Sequence, residues 1–527
     1  MPRRRVFPPA DDTERLPGHL HGRAPAVNPR LRAVAAVGGL TLLAAALRLP
    51  TLDRQSFWSD EAISVLLTRM GFGEMLRTIP LTESTPPVYY VVAWLWTRGF
   101  GDGEIGLRSL SALAGVAMVP VAYVGGTALL GRRVGVAAAA LVAVSPPLVW
   151  YSQEARSYAL ATLVCGASFA AFALVLSSWE SRPLVLWPVL SVLAVWTHYF
   201  AAFVVAAEAA WLLVSSRRAA VRRAVAATVL GSAAVLPLAL EQRANGFTEL
   251  FGPADRLSGR VVVVAKQLLV GNALRGDRVL AAGVGLVVVA SVVFIVVRGD
   301  SAKQRAVFVA ATVGGAAFVL PIGLALAGFD YVNMRNALVG MVPLCVAVVA
   351  GLVVAAPRGL GVGAMAALCA VLATVTTVVS VDTSYHRDDW RGLVAALGSP
   401  ETNRALIVTP DHQGWFARVP LQLYRPEAKA IDARFRSTPL QFATVARRPQ
   451  DLATPRSVSV REIVLAGVRW RIAALPSDLA GRFRLVEERE TDGYRFRRYR
   501  SDRPARVRTA SLSAPLSVVL VEKRARP

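Results

Sequence analysis

Four short stretches of this 527-residue chain place ionisable side chains where they could do chemistry. The first, RQSFWSDEAISVLLTRM, sets Asp60 and Glu61 at the start of an expected helix with Ser59 as its N-cap and an apolar face of Ile63, Leu66, Leu67 and Met70. A carboxylate there could accept a proton as a general base, or the pair could simply complement the positive end of the helix dipole. The second stretch, WYSQEARSYAL, holds Gln153, Glu154 and Arg156 between aromatics, where Glu and Arg could also do no more than neutralise each other. The third, WTHYF, puts His198 and Tyr199 in a tight turn, a setting in which a lone histidine is more often hydrogen-bonded than a ligand. The fourth, FDYVNMRNALVGMVPL, places Arg335 at the entry of an apolar block. Arginine at such a point can snorkel, and its planar fork also suits a phosphate.

The elements that must position these groups are apolar blocks. Hydrophobic residues make up 54% of the chain, 18% are charged, and mean hydropathy is +0.47. The apolar residues fall near 33–49, 105–130, 134–150, 157–177, 183–197, 199–214, 221–240, 279–298, 306–327, 335–355 and 359–381. Blocks of that length read as spanning helices, because lipid leaves no partner for an unpaired backbone group. Alternating strands of an outer-membrane barrel are nearly absent. The expected fold is an all-α polytopic membrane protein of about eleven spans, with 183–214 folded as two helices around a very tight turn. Residues 86–100 (PPVYYVVAWLWTRGF) are too short to span. They are expected as a helix in the interface, where Tyr89, Tyr90, Trp94 and Trp96 would be at home.

Charge sets the topology. Residues 1–30, with six arginines among Pro, Gly and Asp, are expected to be a disordered basic tail in the cytoplasm. Counting spans from there puts Arg132, Arg133, Arg182, Arg217 to Arg223, Arg298 to Arg305 and Arg358 inside, as the positive-inside rule requires. All four chemical stretches then fall on the opposite face. The excess of 59 Lys and Arg over 35 Asp and Glu follows in part from topology and anionic lipid headgroups, and nucleic acid is not an expected partner. Cys165, Cys345 and Cys369 lie in apolar blocks and suggest no disulfide or metal framework. Beyond 381, HRDDWRGLVAAL, RALIVTP, HQGWFARVPLQLY, EIVLAG and YRFRRY read as a small α/β domain over 382–527, placed outside the membrane.

The ordered set FWSDEA, STPPVYYVVAWLW, GEIGLRSLSALAGVAMVPVAYVGG, SPPLVWYSQEARSYAL and THYF resembles the GT-C superfamily of membrane glycosyltransferases. The likeness is to the bacterial branch related to protein O-mannosyltransferases and lipid A aminoarabinose transferases, and it runs over roughly 33–400, including a junction like DDWRGLVAAL. The resemblance implies a polyprenyl-phosphate monosaccharide as donor, used on the outer face. It also implies Asp60 as the first-loop catalytic acid with Glu61 beside it, and Glu154 and Arg156 in the acceptor and donor pocket. Arg335 would lie near the donor phosphate, although family members more often have Tyr where this chain has Asn336.

The residue types suit that chemistry. A carboxylate opposite the leaving phosphate can take the acceptor's proton, a single displacement inverts the anomeric carbon, and cationic groups such as Arg335 and Arg156 stabilise the departing oxygen. Asp60, Glu61, Glu154 and His198 could together form an oxygen-rich site for Mg²⁺ or Mn²⁺. A transporter of lipid-linked sugars is the rival reading. It should show internal repeats with broken helices, and Glu208 is the only acidic residue clearly inside a span. A scaffold presenting the C-terminal domain would leave the outer-face carboxylates unexplained. In that domain Trp390, Trp415 and Trp470 could stack on sugars or fill a core.

Overall fold

The computed structural model describes residues 28–245, 256–271, 276–409, 419–421, 423–425, 429–430, 457–467, 472, 474–508 and 518–522. The expected basic tail lies almost wholly outside them, as do Trp415, Trp470 and most of the predicted helix around 412–424.

In chain order the helices are α1 (Pro29–Arg48), α2 (Ser59–Arg69), α3 (Phe72–Thr82), α4 (Val88–Phe100), α5 (Glu104–Leu130), α6 (Arg132–Val144), α7 (Pro146–Ser152), α8 (Tyr158–Ser178), α9 (Ser181–Thr197), α10 (Ala201–Ser215), α11 (Ala219–Ala233) and α12 (Leu236–Ala244). They continue with α13 (Leu257–Val270), α14 (Asp277–Arg298), α15 (Ser301–Leu326), α16 (Met334–Ala337), α17 (Met341–Ala350), α18 (Arg358–Val381) and α19 (Trp390–Leu397). Among the described residues eight helices are long and apolar enough to cross a bilayer, or nine if α6 and α7 form one bent span. The apolar blocks of the sequence all reappear as helices, eight or nine of them of full spanning length against the eleven crossings expected. At 17 and 15 residues, α9 and α10 fall below the ~20 that a bilayer core needs.

The bend between α6 and α7 is 56°, and its cause is local. Pro146 and Pro147 have no N–H, so the carbonyls four residues back lose their helical donors. Arg48, fully buried at the end of α1, supplies them: its Nη2 donates to the carbonyl of Val142 at 3.2 Å and its Nη1 to that of Ala143 at 2.8 Å. Thr376 on α18 donates to the next carbonyl, of Val144, at 3.0 Å. Elsewhere small residues set the spacing. A Cβ on Gly340 would lie 2.2 Å from the carbonyl oxygen of Gly314, so α15 and the turn before α17 touch backbone to backbone. Glu208, on α10, accepts from Ser168 (2.6 Å) on α8 and the Trp187 indole (2.8 Å) on α9, tying three helices together inside the bundle.

Helices α2 to α4 form a small core of their own. Phe57, Ile63, Val65, Leu67, Met75, Ile79, Tyr89 and Tyr90 are buried together with Leu107 of α5. Residues 86–100 thus have a packed face, while Leu95 and Phe100 on the same segment stay exposed. Tyr89 and Tyr90 are fully buried, while the indoles of Trp94 and Trp96 donate to the carbonyls of Met70 (2.9 Å) and Gly106 (3.0 Å). The aromatics serve as ties between helices because each ring brings a polar handle that burial obliges to find a partner.

After α18 the chain builds a mixed sheet from β1 (Arg404–Thr409), β2 (Lys429–Ala430), β3 (Ser457–Gly467), β4 (Arg484–Glu490), β5 (Arg495–Arg508) and β6 (Val518–Glu522). Its order is β2-β6-β1-β3-β5-β4, and only the β1–β3 pair is parallel. Alternation in RALIVT sends Leu406 and Val408 to one face, with Leu393 and Leu397 of α19, and Ala405 and Ile407 to the other. Trp390 is buried in the first of these cores, so it is a core residue and not a sugar-stacking platform.

Candidate active site

The loop before α2 and the turn after α7 face each other over the mouth of the bundle, and the start of α16 completes the site. Helix α2 begins one residue earlier than Ser59 suggested, with Trp58 in the N-cap position. Asp60 is then in the first turn, and its Oδ2 accepts from Arg335 Nη1 at 3.0 Å. The backbone carbonyl of Asp60 accepts from Arg156 Nη1 at 3.2 Å.

Glu61 has a different position from its neighbour. Its Oε1 accepts from Arg108 Nε (2.8 Å) and the backbone N–H of Ala155 (2.7 Å), and its Oε2 from Arg108 Nη2 (2.6 Å) and the N–H of Trp58 (3.3 Å). A carboxylate offers about four lone-pair sites, so both oxygens are fully used. Arg108 spends its remaining donors on the carbonyls of Leu52, Gln55 and Ser56. Glu61 is 1% exposed and Arg108 4%, so the pair is a buried hub that fixes the loop.

Arg156 is likewise committed. It forms a two-pronged pair with Glu83, Nη1 to Oε1 at 2.9 Å and Nη2 to Oε2 at 2.8 Å, and both side chains are buried. It supports the backbone of Asp60 from behind and does not line the cleft. Glu154 does line it, together with Thr51, Gln55, Glu61, Arg108, Trp150, Gln153 and Arg387. Its Oε1 is bonded to Arg387, while its buried Oε2 has no partner among the described residues. Burial pushes the Glu154 carboxyl above its usual range, with Arg387 and Arg335 opposing the shift.

Trp58 organises the arginines that pair with Asp60 and Glu154. The Cζ of Arg387 sits 3.8 Å from the centre of its ring and that of Arg335 4.8 Å. His198 lies one layer further back, buried, its ring 5.9 Å from that of Tyr158, which in turn is 5.8 Å from Arg335 Cζ. Burial, and then the charge of Arg156, pull the imidazole down to about 4, so it is neutral at physiological pH. Tyr199 points elsewhere. Its hydroxyl donates to Gln242 (2.7 Å), whose amide donates to the carbonyl of Thr85.

The structure therefore brings Asp60, Glu154 and Arg335 together, with Glu61 at the cleft wall but fully engaged by Arg108, and Arg156, His198 and Tyr199 behind them. The cation set expected from Asp60, Glu61, Glu154 and His198 is not gathered, since each carboxylate faces an arginine. Among the described residues no three His, Cys, Asp or Glu side chains are placed to hold a metal. Sequence reasoning missed Glu83, Arg108 and Arg387. Arg387 had a visible signal in its place in the HRDDWRG junction and Arg108 in GEIGLRSLSAL, while Glu83 had none.

Comparison with known proteins gives this arrangement a class. Residues 84–240 match the family model described as dolichyl-phosphate-mannose-protein mannosyltransferase. That match, over less than a third of the chain, agrees with the resemblance of the sequence to the GT-C superfamily of membrane glycosyltransferases. The fold is similar to that of ArnT from Cupriavidus metallidurans bound to undecaprenyl phosphate, with 14% identity, 93% of this chain and 100% of that chain covered, and a TM-score of 0.53. An Archaeoglobus fulgidus oligosaccharyltransferase in complex with Zn and sulfate scores 0.43 at 12% identity, over 82% of this chain and 68% of that one. A Saccharomyces cerevisiae protein O-mannosyltransferase complex bound to the sugar donor scores 0.31 at 16% identity, over 45% and 36%. No curated protein matches the sequence.

Proposed function

We propose that this chain is a multi-pass membrane glycosyltransferase that moves a monosaccharide, such as mannose or arabinose, from a polyprenyl phosphate to an extracytoplasmic acceptor, a glycan, lipid or protein. The observation that carries the reading is the partly exposed pair Asp60–Arg335, with Glu154 and a second arginine beside it. Of the carboxylates in the site, Asp60 and Glu154 keep an oxygen free of recorded bonds, and Asp60 is the more open, at 16% side-chain exposure against 5%. Support for the donor comes from the fold shared with a protein described with undecaprenyl phosphate, and from the name of the matching family.

Asp60 acts as general base and takes the proton of the acceptor hydroxyl as that oxygen attacks the anomeric carbon. The bond from that carbon to the phosphate oxygen breaks, its electron pair leaves with polyprenyl phosphate, and the anomeric centre is inverted. Charge is conserved locally. Asp60 loses one negative charge on protonation while the phosphodiester gains one on becoming a monoester, and Arg335 spans both. The arginine that neutralises the base before reaction is thus positioned to stabilise the leaving group during it. The N-terminus is cytoplasmic in this reading and the C-terminal domain extracytoplasmic, which requires an odd number of crossings. A divalent ion has no assigned role.

The test is transfer from a panel of radiolabelled polyprenyl-phosphate sugars by the full chain in proteoliposomes. Label passing from one donor to an acceptor in the wild type, and lost in Asp60→Asn, supports the reading and names the sugar. Label that only crosses the bilayer, equally in both proteins, overturns it in favour of a transporter.

A further inference from the structure

The segment that joins α18 to α19 does more than tether the sheet. Its backbone is sewn to the strand of chain that leads into Asp60. Arg387 N–H donates to Gln55 Oε1, Trp390 N–H donates to Ser56 Oγ, and Ser56 Oγ donates to the carbonyl of Asp388, each at 2.9 Å. Tyr424 adds a further tie, accepting from Phe57 N–H and donating to Glu104, each at 2.7 Å.

This fixes Arg387 as a member of the site. Its guanidinium lies flat on Trp58, on the ring it shares with Arg335, and 5.5 Å from the centre of Trp150. It lines the cleft with Glu154, Gln153 and Trp150. Arginine has five N–H donors in a planar fork, and Glu154 engages Nη2 alone. The rest of the fork, stacked and preorganised, suits the oxygens of a phosphate. Glu154 is meanwhile a deeply buried carboxylate that keeps an unpartnered oxygen, a partner that Arg387 can trade for another anion.

We propose that Arg387 is a phosphate-holding residue of the donor site, supplied by the junction with the C-terminal sheet, and that it exchanges Glu154 for the lipid phosphate when the donor binds. The inference rests on the proposed function and assigns the phosphate two arginines, Arg335 and Arg387, on one indole. The C-terminal region then does not merely cap the cavity, because it contributes a side chain to it.

The test is equilibrium binding of three probes to the purified full chain. Undecaprenyl phosphate carries anion and tail, undecaprenol the tail alone, and inorganic phosphate the anion alone. Wild type should prefer undecaprenyl phosphate to undecaprenol. Arg387→Gln should weaken both phosphates by about 10- to 100-fold, the worth of a hydrogen bond to a charged group, and leave undecaprenol unchanged. Arg387→Lys keeps the charge but loses the fork, and should fall between. Glu154→Gln removes the competing carboxylate, so it should tighten undecaprenyl phosphate several-fold, and the gain should vanish in the Glu154→Gln/Arg387→Gln double variant. A merely structural Arg387 would not produce that gain. Unchanged phosphate preference in Arg387→Gln, or no tightening in Glu154→Gln should the first variant fail to fold, overturns the role of Arg387 and leaves the donor reading standing. A wild type that binds undecaprenol as well as its phosphate overturns both.

Discussion

Arg335 and Asp60 are 275 positions apart in the chain, yet Nη1 and Oδ2 are 3.0 Å apart in the fold. One residue opens α16 and the other stands in the first turn of α2, so the pair closes the ring of helices at its outer rim. Its placement makes two demands on a variant. Under the proposed function the base must carry its charge to react, and the arginine must be free to leave it when a phosphate arrives.

Asp60→Asn meets the second demand and fails the first. Loss of general-base catalysis should lower transfer by about 10²- to 10⁴-fold, while donor affinity holds or rises because Arg335 is released. Rates and donor binding measured on the same preparation check this, and a parallel loss of binding would mean that Asp60 only shapes the pocket.

Glu61 carries the opposite expectation from its neighbour. Glu61→Ala leaves Arg108 buried without its counter-ion, which should cost about 3–5 kcal/mol and show as a lowered unfolding temperature or failure to insert. A stable but inactive Glu61→Ala protein would return Glu61 to the chemistry.

His198 gives a pH signature. In the unfolded chain its imidazole binds a proton near pH 6.5, and in the fold only near about 4. Between those values the unfolded state holds more protons, so stability falls as pH drops from 6.5 towards 4, by roughly 3 kcal/mol in all. Above pH 6.5 the group contributes no slope. Thermal unfolding across that window should show a shallower fall for His198→Gln than for wild type, and equal slopes would assign the effect to other groups.

Gly340→Ala should be costly and Gly315→Ala cheap. The first new methyl would lie 2.2 Å from the Gly314 carbonyl, whereas the second meets nothing within 4 Å. Overpacking of the first kind typically costs about 1–3 kcal/mol, and the displaced turn carries Arg335 on its N-terminal side, so transfer should fall with stability. Gly315→Ala should be neutral or slightly stabilising, as a helix interior prefers alanine. Similar unfolding temperatures for the two variants would mean that the helices can part without loss.

Much of this was legible in the residues. The apolar blocks became helices because hydrocarbon dictates what a backbone can do, and the four chemical stretches were rightly placed at one end of the bundle. The division of labour between adjacent acids was not legible. Asp60 and Glu61 are one residue apart, about 100° around a helix, and only the fold decides that Glu61 meets Arg108 while Asp60 meets Arg335. The same is true of Arg48, whose partners are two carbonyls freed by prolines about a hundred residues away. Glu83 carries no periodicity or motif of its own, since an ion pair between distant segments leaves no trace in either.

The seam between Ser56 and Asp388 joins residues 332 positions apart. A ribosome adding roughly 5–20 residues per second would finish the first-loop segment about 15–65 s before its fastening exists. During that interval the nascent protein has Asp60, but neither Arg387 nor the hydrogen bonds that seat the loop. The site is therefore completed last, and a chain that stops after α18 would reach the membrane as an unfinished enzyme.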